Sequence, residues 1–196
     1  LASVYSVFAN GAYKVPLTPV LSVVDSYGNS LPYVTSPSST TPIIDPSVAY
    51  QINSILSDTA ARAPAFGTRS ILNLPGNGVA VKTGTTNDLR DNWTIGYTPN
   101  VLVATWVGNN DNSSMSSVAS GVTGASPIWA TTMQALLKNL PSNPFSPPPN
   151  LVRQKVNCSS PPRYEYFLPG SAPTINCSPT PSGTLLDSAA STVSPR

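Results

Sequence analysis

Residues 79–108 constrain the fold most. Val79, Ala80 and Val81 lead into Lys82, and the β-branched Thr83, Thr85 and Thr86 follow directly, so local propensity favours a strand over a helix. In a strand Lys82 and Gly84 face one side and Thr83 and Thr85 the other, and Gly84 removes bulk where something must approach the backbone. One cation, two hydroxyls and open main-chain donors suit an edge that receives a ligand. The same residues also suit a solvated edge strand on which Lys82 blocks aggregation and Gly84 marks a bulge. Asn87 to Asp91 form a polar turn, and Asn92–Tyr97 and Val101–Val107 read as two more strands joined by Thr98, Pro99 and Asn100. A three-strand antiparallel meander with Lys82 on its first strand is therefore predicted.

The order of residues across this stretch is specific. The lysine, threonine, glycine, threonine, threonine run at 82–86, Asp91 and Trp93, the Gly96, Tyr97, Thr98, Pro99 run and the Thr105, Trp106, Val107, Gly108 end together resemble the last three sheet strands of class A penicillin-binding proteins. The lysine–threonine–glycine element is a mark of those proteins and of class A β-lactamases. The resemblance implies an α/β (α+β) fold: an antiparallel sheet flanked by helices, serine β-lactamase/transpeptidase-like, present here as its C-terminal portion. It also implies a role for each residue. Lys82 shapes the field and assists proton transfer near a nucleophile, and the Thr83 and Thr85 hydroxyls hold a substrate or drug carboxylate. The Thr85 main-chain N–H forms half of an oxyanion hole, and Gly84 lets the acyl group pass.

The N-terminal part supports the same order. Leu1, Val4, Tyr5 and Phe8 fall on one helical face, and Asn10 with Gly11 is a stop signal. A helix already under way at residue 1 reads as part of a longer chain. Val20–Val24 and Ser30–Tyr33 read as a hairpin, and Val34–Pro42 as a loop. Asp45 is an N-cap candidate with Pro46 at the first helical position, so a helix is expected to about Arg62, with a Gly- and Pro-punctuated loop from Ala63 to Gly78. Its apolar face of Val48, Ile52, Ile55, Leu56 and Thr59 asks only for packing. Beyond the meander, Asn109–Thr123 is a polar loop. A helix opening near Pro127 and closed by Pro141 carries Trp129, Met133, Leu136, Leu137 and Leu140, with Trp129 as a core anchor. Residues 1–140 thus read as part of a transpeptidase domain.

Residues 141–196 hold 12 of the 22 prolines, which excludes long helices and central strands, so a tail that is partly extended or disordered is expected. Cys158, Glu165, Phe167, Gly170, Pro173 and Cys177 follow an order similar to some class A tails. The resemblance allows a Cys158–Cys177 disulfide outside the cytoplasm, worth about 3 kcal/mol by loop entropy, beside the alternative of two free thiols. Asn92, Asn112, Asn157 and Asn176 begin glycosylation-type tripeptides, which chance explains in a chain rich in Asn, Ser and Thr.

Composition narrows the chemistry. There is no histidine, which excludes histidine triads and histidine metal sites within the chain, and two cysteines alone cannot build a thiolate zinc site. Ten basic and eight acidic residues show no basic cluster for nucleic acid. Neither a serine three residues before a lysine nor a serine–any–asparagine element occurs anywhere in the chain. In the family both lie upstream, so only one of three active-site motifs is present.

The expected function is therefore part of a D,D-transpeptidase that cross-links peptidoglycan stem peptides through a serine acyl-enzyme and binds β-lactam antibiotics, without metal or cofactor. Its implied partners are the upstream half of the same domain and a glycosyltransferase domain. The implied location is the extracytoplasmic side of the bacterial cell membrane, anchored through a part upstream of Leu1. A non-catalytic β-lactam-sensing or peptidoglycan-binding domain is the alternative; a sandwich-type adhesin module is opposed by the two helices and the Lys82 strand.

Overall fold

The computed structural model describes residues 1–34, 37–74, 78–115, 122–140, 143–158 and 161–175. The chain divides into two compact units, Leu1–Leu151 and a second beginning at Val152.

The first unit is built on the predicted meander: β3 (Ala80–Thr85), β4 (Asp91–Tyr97) and β5 (Leu102–Gly108) pair antiparallel in the order β3-β4-β5. The register sets Lys82 opposite Ile95 and Gly84 opposite Trp93, and Trp93 in turn opposite Trp106. Because directly opposed residues share a face, one face carries Lys82, Gly84, Trp93, Ile95, Tyr97 and Trp106, and the other Val81, Thr83, Thr85, Asn92, Thr94 and Gly96.

Each face of the sheet receives a helix. The helix α4 (Ala125–Leu137) lies on the Gly96 face and buries Ala125, Ser126, Trp129, Ala130 and Met133 at helical spacing. Trp129 is fully buried and clusters with Leu72, Leu74, Val79, Val81 and Met133. A Cβ on Gly96 would lie 2.2 Å from Trp129 Cζ2, so this strand position is open only to glycine. Trp129 Nε1 is buried with no hydrogen-bond partner. Burial of its large ring outweighs an unmet donor costing about 1–3 kcal/mol.

On the Lys82 face, α1 (Ala2–Ala9) sets Tyr5 edge-on to Tyr97 with centroids 6.1 Å apart, and ends at Asn10 and the left-handed Gly11, as the stop signal predicts. Asn53 of α2 (Pro46–Ser57) joins three elements: its Nδ2 donates to Phe8 O at 2.8 Å, and its Oδ1 accepts from Tyr97 Oη at 2.8 Å. The Pro-rich stretch after α4 packs on the same tyrosine, with Phe145 edge-on to Tyr97 at 5.8 Å and Ser47 hydrogen-bonded to Asn150.

Burial, and secondarily the neighbouring Tyr5, raise the Tyr97 phenol well above the usual tyrosine range. A raised folded-state pKa means the stabilisation is intact below the unfolded value of about 10 and is lost as pH climbs from there towards the folded value. The urea midpoint is expected to fall above about pH 10, and Tyr97→Phe to remove part of that fall. An identical alkaline loss in the Phe variant would show that Tyr97 does not drive it.

Two sequence expectations change. The single helix expected from Asp45 to about Arg62 is two: α2 ends at Ser57, and α3 runs Thr59–Phe66. Asp58 adopts extended backbone (φ −75°, ψ 96°), and its carboxylate caps α3 by accepting from Ala61 N. The side chain of Arg62 then donates to Leu56 O and to Asn73 Oδ1, bridging the break to the chain that leads to β3. The second change follows, since the loop expected from Ala63 begins only after Phe66, at the left-handed Gly67. The tail, expected to be partly extended, contains a hairpin, β6 (Val152–Lys155) with β7 (Tyr164–Phe167). With two strands both are edges, which is the sheet position the prolines leave open. The hairpin expected near the N-terminus is short, β1 (Val23–Val24) with β2 (Ser30–Leu31), closed by Asp25 accepting from Tyr27 N and Asn29 N. Cys158 is disulfide-bonded; Cys177 and Asn176 lie outside the described residues.

Candidate active site

β3 changes character along its length. Ala80 and Val81 are buried, Thr83 is half-buried, and Lys82, Gly84 and Thr85 are exposed. The apolar start is held by the core while the motif runs out along the edge of the sheet, since β4 is the only strand paired with β3 among the described residues. Lys82 and Thr83 line two clefts. One, of about 240 Å³, is shared with Tyr5, Gly84, Trp93 and Ile95. The other, of about 230 Å³, lies towards Leu56, Arg62 and Phe66 of the broken helix pair. The Lys82 ammonium donates to Thr83 O, which folds the side chain along the strand.

Thr85 is held from behind. Asn92 is fully buried; its Nδ2 donates to Thr85 Oγ1 at 3.1 Å, and its Oδ1 accepts from Ala125 N at 2.7 Å. One amide thus ties the motif strand to the first residue of α4, satisfying one of the N–H groups a helix start leaves open. A second brace is the buried hydrogen bond between Thr94 Oγ1 and Ser126 Oγ at 2.9 Å. The turn beyond is closed by Thr86, whose hydroxyl accepts from Asp91 N at 2.7 Å and whose N–H donates to Asp91 O at 3.0 Å. Asp88 and Leu89 there take left-handed backbone, which is uncommon outside glycine.

The four sequence-predicted site residues, Lys82, Thr83, Gly84 and Thr85, sit together on one strand. The sequence marks Asn92 only as the start of a strand and of a glycosylation-type tripeptide. Its full burial rules it out as a sugar acceptor and makes it a support of Thr85. The signal was available: Asn92 falls on the inward beat of β4, where a polar residue needs a partner. Among the described residues, no three of His, Cys, Asp or Glu come together to hold a metal ion.

The fold and this strand define a class: the α/β fold of serine β-lactamase-like transpeptidases, an antiparallel sheet with helices on both faces. A crystal structure of penicillin-binding protein 1A from Haemophilus influenzae superposes with a TM-score of 0.73 at 22% identity, covering 89% of this chain and 32% of that one. Penicillin-binding protein A of M. tuberculosis, solved as an imipenem acyl-enzyme complex, superposes at 0.52 over 69% of this chain and 30% of that one, with 22% identity. The penicillin binding protein transpeptidase domain family matches residues 1–133, and the chain belongs to that family. Within it the sequence is similar to class A members. Penicillin-binding protein 1A of Neisseria lactamica is 33% identical over 155 residues, which are 78% of this chain and 19% of that protein. The Escherichia coli K12 protein of the same name is 30% identical over 156 residues, 67% of this chain and 18% of that protein. The chain therefore spans about a fifth of the length of these relatives, and carries part of a class A transpeptidase domain.

Proposed function

We propose that this chain supplies the carboxylate-binding and oxyanion-stabilising wall of a peptidoglycan D,D-transpeptidase, with the nucleophilic serine and its lysine in an upstream half of the same domain. The observation that carries this reading is the exposed Lys82–Thr85 edge, with Thr85 held from behind by Asn92. The reaction is acyl transfer: a serine attacks the D-Ala-D-Ala amide of one stem peptide and releases the terminal D-Ala. The amine of a second stem then takes the acyl group from the serine. A β-lactam is attacked by the same serine and stays attached.

Each step draws on a residue of β3. The Thr83 and Thr85 hydroxyls donate to the carboxylate of the stem peptide or drug. The Thr85 N–H faces the carbonyl oxygen as negative charge develops on it, where a preorganised donor is worth most. Lys82 lowers the cost of that charge and assists proton movement at the serine. Gly84 leaves the path of the acyl group free: a Cβ there would meet only Trp93 Cβ, at 3.9 Å, and would stand on the open face. The partners are peptidoglycan stem peptides, β-lactam antibiotics, the upstream half-domain and a glycosyltransferase domain of the same protein. The place is the extracytoplasmic side of the bacterial membrane, anchored outside this chain; no described helix is long and apolar enough to cross a membrane.

The test is covalent labelling by a fluorescent penicillin of a longer protein that adds the upstream half-domain to this chain. Label on a serine of the added part is expected. A folded longer protein that takes none would overturn the reading.

A further inference from the structure

Beyond the motif strand, the register lines up Gly84, Trp93 and Trp106 in one row across β3, β4 and β5, on the face that carries Lys82. The two indoles are neighbours, with centroids 6.4 Å apart and planes inclined at 48°. Trp93 lines the cleft beside Lys82 and Gly84. Trp106 is 40% exposed, yet its ring is pinned: Nε1 donates to Asp91 Oδ1 at 2.8 Å, while Asp91 Oδ2 accepts from Thr86 Oγ1 at 3.3 Å. The ring also lies across Gly108, where a Cβ would stand 2.6 Å from Trp106 Cζ2. A carboxylate on one side and an absent side chain on the other thus hold a large, partly exposed aromatic surface in one orientation, turned towards the end of the sheet where the motif strand opens.

We infer that Trp93 and Trp106 form a specificity shelf on the Lys82 face that takes the apolar or aromatic side group of the acyl donor where the ligand crosses the bare edge at Gly84, its carboxylate held by Thr83 and Thr85 on the opposite face. The inference rests on the proposed function and deepens it. Adjacent strands lie about 4.8 Å apart, so the shelf begins one strand away from Gly84 and ends two strands away. That is the reach of a benzyl-sized substituent on a ligand whose reacting carbonyl lies at β3. A pinned indole loses little freedom when such a group stacks on it, which is how a preorganised surface gains selectivity.

The test uses the longer protein and two penicillins that differ only in the side group, phenylacetamido or acetamido. The ratio of their acylation rate constants measures the shelf. Trp106→Ala is expected to lower that ratio about threefold to tenfold, the scale of one aromatic stacking contact, and Trp106→Phe to retain most of it. Asp91→Ala, which keeps the ring but frees it, should fall between. An unchanged ratio in Trp106→Ala, or one lowered equally in Trp106→Phe, would overturn the shelf while leaving the proposed function standing. Absence of acylation in the unmodified longer protein would instead overturn the proposed function and the shelf with it.

Discussion

Lys82→Ala is expected to slow acylation of the longer protein by penicillin about a hundredfold, the scale of losing one acid–base or electrostatic group. The effect is expected on the chemical step rather than on folding, because Lys82 is exposed on the strand and lies outside the core that holds β3. The far-ultraviolet spectrum and urea midpoint of the variant should match those of the parent. The present chain alone is expected to take no label. A nucleophile and its base act as a unit, and the loss of one member costs nearly as much as the loss of all. Here the serine–lysine pair is absent from every position where a lysine occurs: Gly11, Val79, Ala135 and Val152 stand three residues before Lys14, Lys82, Lys138 and Lys155. Covalent label on residues 1–196 alone would overturn the assignment of the nucleophile to an upstream part. An unchanged rate in Lys82→Ala would overturn the role given to that lysine.

The second large effect is on stability. Trp129→Ala removes the largest fully buried side chain from between α4 and the sheet, and is expected to cost about 3–5 kcal/mol in urea unfolding. Against a typical domain stability of about 5–15 kcal/mol this is a large share. Gly96→Ala attacks the same contact from the other side by driving a methyl into the ring, and overpacking of this kind costs about 1–3 kcal/mol. The two should not add. With the indole gone the methyl at 96 has room, so the double variant is expected to be more stable than the sum of the single losses predicts by about 1 kcal/mol or more. Simple additivity would mean that Gly96 and Trp129 are not in the contact described.

What was legible in the sequence was whatever local chemistry dictates. Strand propensity and the turn residues between runs located β3, β4 and β5 to within a residue or two, because both signals are carried by each short segment. The apolar spacing of Trp129 and Met133 located α4. The exposed cation and hydroxyls at 82–85 stood in one contiguous run, so the candidate site needed no tertiary information to find. Tertiary structure decided the features that depend on partners distant in the chain. The break at Asp58 is invisible to apolar periodicity, which runs on through it from Val48 to Thr59. It is set by Arg62 reaching Leu56 O and Asn73 across the break. Asn92 became the support of Thr85 only because the chain returns α4 to it 33 residues later. Trp106 reads from sequence as one more strand aromatic; the pairing of β4 with β5 is what sets Asp91 and Gly108 on either side of its ring. A side chain's propensity is a property of its own neighbourhood. Which groups satisfy its hydrogen bonds, and which backbone must stay bare for it to fit, is settled only when the strands and helices are brought together.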